Sequence, residues 1–97
     1  MAAGGEGMRW RVISGFELLM QQWDDEVVLF HSGTGNTHLL ESNACHLIKI
    51  LQQSPADTAS LIRSLSARLF LEQEELAAYV QRALVELQRL DIVVFEA

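Results

Sequence analysis

The first forty residues contain short hydrophobic runs of the length and spacing that are typical of β-strands. Three such runs cover residues 17–23, 27–31 and 37–40. The first run ends at an Asp-Asp pair, and the second ends at a cluster of Ser, Gly, Thr and Asn. Because short links favour hairpins between successive strands, this pattern predicts a three-stranded antiparallel meander. Residues 10–13 are predicted to form a further short strand or to cover one face of the sheet. The run at 27–30 is apolar on both faces, which predicts that other parts of the protein cover both sides of the central strand.

From residue 42 onward the apolar positions recur with a helical period. A first helix is predicted to begin with Ser42 or Asn43 as its cap. It is predicted to end near Gln53, because the residue before Pro55 avoids the helical region. Its apolar face has the spacing i, i+3, i+4 and i+7. The residues on that face are Ala44, Leu47, Ile48 and Leu51.

Two more helices and a final strand complete the predicted order. The second helix begins with either Ser54 or Asp57 as its N-cap. The third helix covers residues 72–90, and the glutamates of its first turn suit the positive end of the helix dipole. Its apolar face consists of Leu76, Val80, Ala83, Leu84, Leu87 and Leu90. Residues 92–95 predict a short C-terminal strand, so the order β-β-β-α-α-α-β indicates an α+β fold.

Composition narrows the classes of function. The 97 residues are 49% hydrophobic and include one proline, which favours one folded domain over residues 10–97, after a disordered tail at 1–9. A net charge of −6 disfavours nucleic-acid binding. No apolar run approaches the roughly 20 residues that span a bilayer, so no membrane contact is expected. The start of the chain lacks the pattern of a signal peptide, and the single Cys45 cannot form an internal disulfide, so a cytoplasmic location is expected.

Residues that could carry chemistry do not form a recognisable catalytic or metal site. His31, His38, Cys45 and His46 lack the spacing of known zinc sites, so they are predicted to be ordinary strand and helix positions. Cys45 is more typical of a small buried side chain than of a nucleophile. The Gly-Thr-Gly-Asn run at 33–36 lacks the lysine of a phosphate loop and precedes a strand, so it predicts a hairpin turn. We therefore expect no enzyme, no metal and no cofactor.

The third predicted strand is a candidate binding feature. It continues directly into the first helix, which leaves it at an edge of the sheet. An edge strand presents unpaired N–H and C=O groups, to which a peptide can add as a further strand. Residues 37–40 contain neither the Pro nor the Lys that often protects an edge. The alternative is an edge that is simply short, or one that residues 92–95 cover.

Two runs of sequence carry a resemblance to a known family. The run W-D-D-E-V-V-L-F at 23–30, followed by T-G-N-T-H-L-L at 34–40, resembles the PqqD-type peptide chaperones of the RiPP recognition element family. It is most similar to the branch found beside an HPr-kinase-related protein, and the resemblance covers residues 10–95. It implies a winged-helix-like domain in which a three-stranded antiparallel sheet is followed by a three-helix bundle. Such domains bind the leader of a ribosomally made peptide by strand addition.

The resemblance also implies binding residues and partners. Carried onto this chain, the peptide-binding positions are Thr37, His38, Leu39, Leu40, Val80, Leu84 and Leu87. Helix positions one residue away are the alternative, because the sequence does not fix the sheet register. The implied partners are a precursor peptide and a modifying enzyme, here an HPr-kinase-related one.

Two other functions stay open at the level of sequence. A winged-helix DNA-binding module would use the third helix for recognition, but that helix offers only Arg82 and Arg89 among several glutamates. A structural interaction domain would form a homodimer by pairing the edge strand with its own copy.

Overall fold

Strands fill the first part of the chain and helices the second, as the hydrophobic spacing predicts. The computed structural model describes residues 8–96. The strands are β1 (Arg9–Val12), β2 (Leu18–Trp23), β3 (Glu26–His31), β4 (Asn36–Glu41) and β5 (Val93–Glu96). The helices are α1 (Ser42–Gln53), α2 (Thr58–Ser66) and α3 (Gln73–Arg89). Most of the expected N-terminal tail lies outside the described residues, and β1 begins at Arg9.

β2, β3 and β4 form the predicted three-stranded antiparallel sheet, in that order. The register places Leu19 opposite Phe30 and Val28 opposite Leu39. Left-handed backbone conformations occur in both hairpins, at Asp24 in the first and at Gly35 in the second. Gly adopts this conformation without steric cost, and Asp tolerates it better than most residues. The turn residues therefore set the meander locally.

β5 pairs with β1 in a separate two-stranded antiparallel sheet. The register places Trp10 opposite Phe95, and their ring centroids are 4.8 Å apart. The indole N–H of Trp10 also donates to the hydroxyl of Thr58 at 2.9 Å, at the start of α2. β5 therefore pairs the C-terminal end of the described chain with β1, and Trp10 of β1 links this sheet to α2. The alternative that residues 92–95 cover β4 is wrong.

One hydrophobic core lies between the inner face of the three-stranded sheet and the helices. Its largest fully buried residues include Leu29, Leu47, Ile48, Leu61, Leu65, Leu76, Leu84, Leu87 and Ile92. The prediction that both faces of the central strand are covered is wrong. Phe30 on the outer face is 37% exposed, and its neighbours Leu19 and Leu39 are 61% and 60% exposed. An antiparallel sheet can leave one face in water, and this one does.

The starts of α2 and α3 agree with the sequence, and so does the end of α1 at Gln53, but the start of α1 does not. Glu41, not Ser42 or Asn43, is the N-cap residue of α1, and its side chain makes no capping hydrogen bond. The hydroxyl of Ser42 instead donates to the carbonyl of Asp25 at 3.0 Å, which ties the helix start to the first hairpin. α2 is capped by Asp57, one of the two predicted caps, and α3 begins with a capping box. No helix within residues 8–96 is both long and apolar enough to cross a membrane.

Candidate functional site

β4 is an open edge of the three-stranded sheet. Among the described residues it pairs only with β3. The N–H of Ser32 donates to the carbonyl of Glu17 at 3.0 Å, just beyond the paired ends of β3 and β2. Since backbone groups alternate along an antiparallel ladder, His38 and Leu40 of β4 bond to β3. The groups left pointing to the open edge are those of Thr37, Leu39 and Glu41.

A groove of about 320 Å³ lies between β4 and α3, beside this edge. Most of its wall is apolar and is formed by Leu39, Leu40, Ala44, Ala83 and Leu87. Its polar lining residues are Glu41, Tyr79, Arg82 and Glu86. An apolar wall with a few polar groups at an unpaired strand is the arrangement that accepts an extended peptide.

The structure separates the predicted helix positions into core and groove. Val80 and Leu84 have no exposed surface and belong to the core, so they do not line the groove, whereas Leu87 is buried but reaches its wall. The residues one position earlier in each case face the groove. These are Tyr79, Ala83 and Glu86. The reason is that the most apolar stripe of α3 packs against the core, and a shift of one residue turns a side chain by about 100°.

A hydrogen bond between α3 and the end of β4 bounds the groove. The hydroxyl of Tyr79 donates to the carboxylate of Glu41. Burial raises the pKa of Tyr79, and the hydrogen bond and charge of Glu41 raise it further. The hydroxyl therefore stays protonated near neutral pH and holds the last residue of the strand to the helix. The sequence prediction missed Glu41, which lies one position beyond the predicted strand, whereas Tyr79 is one of the helix positions that it gave as the alternative.

His38 lies on β4 but is half-buried and is not among the residues that line the groove. Its Nε2 atom is buried and has no hydrogen-bond partner among the described residues. The hydrogen bond from Arg89 is the main cause of the lowered pKa of Glu86, and the proximity of His38 is a smaller cause. Because Nε2 has no exposed surface, it cannot bond an incoming chain in this arrangement, and His38, unlike Leu39 and Leu40, does not line the groove.

The other candidates for chemistry are structural residues. His31 is a position of β3, as predicted, but it is 1% exposed and its ring makes three hydrogen bonds that the sequence did not predict. Its Nδ1 accepts from the N–H groups of Gly33 and Thr34 at 3.0 and 3.2 Å, and its Nε2–H therefore donates to the carbonyl of Asp91 at 3.0 Å.

Cys45 is buried, as predicted, and burial raises the pKa of its thiol. Within residues 8–96 no three His, Cys, Asp or Glu side chains are grouped to hold a metal ion.

Comparison with known proteins finds similarity at the level of fold. No protein-family model matches the chain, and no curated protein sequence matches it. Among solved structures, the fold is similar to that of TbiB1 in complex with the TbiA(beta) leader peptide, with a TM-score of 0.67. The two chains are 17% identical, and the match covers 86% of this chain and 93% of TbiB1. At this identity the similarity shows a shared fold.

Proposed function

We propose that this protein is a non-catalytic adaptor that binds a leader or precursor peptide as an added strand on β4 and presents it to a modifying enzyme. The open edge of β4 beside the apolar groove is the observation that carries the proposal. Main-chain hydrogen bonds at such an edge give affinity, and the adjoining pocket gives specificity.

The geometry of the edge sets how the peptide would bind. Its backbone would bond to the outward groups of Thr37, Leu39 and Glu41. Side chains alternate along a strand, so every second residue of the peptide would point toward α3. The wall formed around Ala83 and Leu87 would accept apolar side chains there. The polar lining residues Glu41, Tyr79, Arg82 and Glu86 would bond polar groups of the peptide.

The comparison and the sequence both support this class of partner. TbiB1, which shares the fold, was solved with a leader peptide bound. The runs at 23–30 and 34–40 resemble the PqqD-type chaperones, whose partners are leader peptides and modifying enzymes. An HPr-kinase-related modifying enzyme is the finer part of the proposal and rests on the resemblance alone. DNA binding has less support, because Arg89 of α3 is paired with Glu86 and the chain is acidic.

An amide NMR titration of the whole chain with leader-like peptides encoded beside its gene tests the proposal. We expect saturable shifts at Thr37, Leu39 and Glu41 and along the 79–87 face of α3. Ala83→Trp should block binding by filling the groove. Val85→Trp is the matched control, since Val85 is a 53% exposed position on the same helix outside the groove lining.

Two results would count against the adaptor. Binding that Ala83→Trp leaves unchanged would place the peptide elsewhere. If no candidate peptide shifts any amide, and the protein is dimeric through β4, self-pairing of the edge is the better explanation.

A further inference from the structure

A second cavity, of about 540 Å³, lies between α1 and the inner side of β2 and β3. α1 contributes Ser42, Cys45, His46 and Lys49, which recur at i, i+3, i+4 and i+7 and so share one face of the helix. Ala44, which lines the peptide groove, lies on the opposite face of α1. The two cavities are therefore separate, and a ligand of the second cavity is independent of the proposed peptide binding.

Two exposed cations line this cavity, and neither is in an ion pair within residues 8–96. Lys49 and Arg68 both line it, and none of its lining residues is Asp or Glu. The ion pairs within residues 8–96 are Arg11–Glu96 and Arg89–Glu86. Arg68 donates instead to the neutral side-chain oxygen of Asn43, at 3.2 Å. In a chain with a net charge of −6, an uncompensated pair of cations is a local positive field.

His46 lines the same cavity as Lys49 and Arg68. Burial is the main cause of its lowered pKa, and the charges of Arg68 and Lys49 lower it further. Both cations therefore act on the same imidazole, which is neutral at neutral pH and can donate one hydrogen bond. Met20 and Val27 add apolar surface to the cavity wall. Charged donors beside apolar wall suit an organic molecule that carries an anionic group.

We propose that this cavity binds a phosphate or carboxylate group, with Lys49 and Arg68 as its charged donors and His46 as a neutral donor. Arg and Lys are the side chains that bind such oxyanions most strongly, through charge-assisted hydrogen bonds. The volume is within the range of small-molecule sites, so a compact organic anion fits as well as an inorganic one. Neither cation is in an ion pair within residues 8–96, so a bound anion would supply their counter-charge.

The test is an NMR titration of the full chain with inorganic phosphate, with succinate and with sodium chloride at matched ionic strength. We expect saturable shifts in the amides of 42–49 and in the Nε–H of Arg68 with at least one of the two oxyanions. Lys49→Gln and Arg68→Gln should each weaken binding about tenfold, since each removes a charged donor. Arg63→Gln is the control, because Arg63 is an exposed cation on α2 outside the cavity.

Comparing the affinities for phosphate and succinate shows which anionic group the cavity prefers. Tighter binding of phosphate assigns a phosphoryl group, and tighter binding of succinate assigns a carboxylate. A bound anion should also raise the pKa of His46, measured from its ring protons, because it offsets the two cations. The proposal is overturned if neither anion produces saturable shifts beyond those of chloride, or if Arg63→Gln weakens binding as much as Lys49→Gln does.

Discussion

At the scale of single residues, His31 joins two turns that are distant in the sequence. Its ring bonds the β3–β4 turn through Gly33 and Thr34, and bonds the α3–β5 turn through Asp91. The ring of Phe16 packs on it with centroids 3.9 Å apart. A Cβ at position 33 would lie 2.9 Å from the imidazole, so a glycine is required there. The hydrogen bonds of His31 therefore hold the β3–β4 turn and the α3–β5 turn together, and its role is structural.

Replacing His31 by phenylalanine tests how much these hydrogen bonds contribute to stability. Phenylalanine fills a similar volume but leaves two backbone N–H groups and one carbonyl without their partner. We expect His31→Phe to lower the free energy of unfolding by about 2–4 kcal/mol in urea denaturation. His46→Phe makes the same replacement at a half-buried histidine without such bonds, and should cost less than about 1 kcal/mol. Equal losses for the two variants would contradict the role of the hydrogen bonds.

At the scale of elements, β4 and α3 together make the candidate site. β4 stays open because it continues directly into α1, while β5 pairs with β1 on another part of the domain. α3 presents its core stripe to the sheet and its flank to the groove. The contact between Tyr79 and Glu41 links the two elements at one end. The open edge of β4 and the groove-facing side of α3 therefore form one continuous surface.

Proline at position 39 tests whether the edge is used. Leu39→Pro removes an outward N–H, and proline is tolerated on an edge strand, so the fold should persist. We expect this variant to abolish peptide binding in calorimetry, with an unchanged helical circular dichroism spectrum. Leu39→Ala keeps the N–H and should weaken binding less than about tenfold. If a folded Leu39→Pro protein still binds the peptide, the edge assignment is wrong.

At the scale of the whole molecule, charge is distributed unevenly. Asp24, Asp25, Glu26 and Glu41 line a cavity that adjoins the peptide groove, whereas Lys49 and Arg68 meet on the other side of α1. The groove itself is mainly apolar. Peptide affinity should therefore depend on main-chain hydrogen bonds and apolar contacts more than on the net charge.

Salt dependence measures that balance. Raising sodium chloride about tenfold shortens the screening length about threefold. We expect the Kd for the peptide to change by less than about threefold over that range. A steep loss of affinity with salt would instead indicate charge pairing with groups such as Glu41 and Glu86.

The sequence by itself determined the kinds of element and their order. The short hydrophobic runs in the first forty residues became β2, β3 and β4, and the i, i+3, i+4 pattern after residue 42 became the helices. Asp57 is one of the two caps that local rules offered for α2, and the buried state of Cys45 agrees with its residue type. These features depend on neighbours within a few residues, which is why the pattern contains them.

Only the tertiary structure decided which side chains face one another. It placed Val80 and Leu84 in the core and Ala83 in the groove, because the angle at which α3 packs on the sheet selects the buried stripe. It paired β5 with β1 and so left β4 open. It brought His31 to Asp91 and placed Lys49 and Arg68 at one cavity, although these residues are distant in the sequence. Such contacts depend on register and packing between distant segments, which local periodicity does not encode.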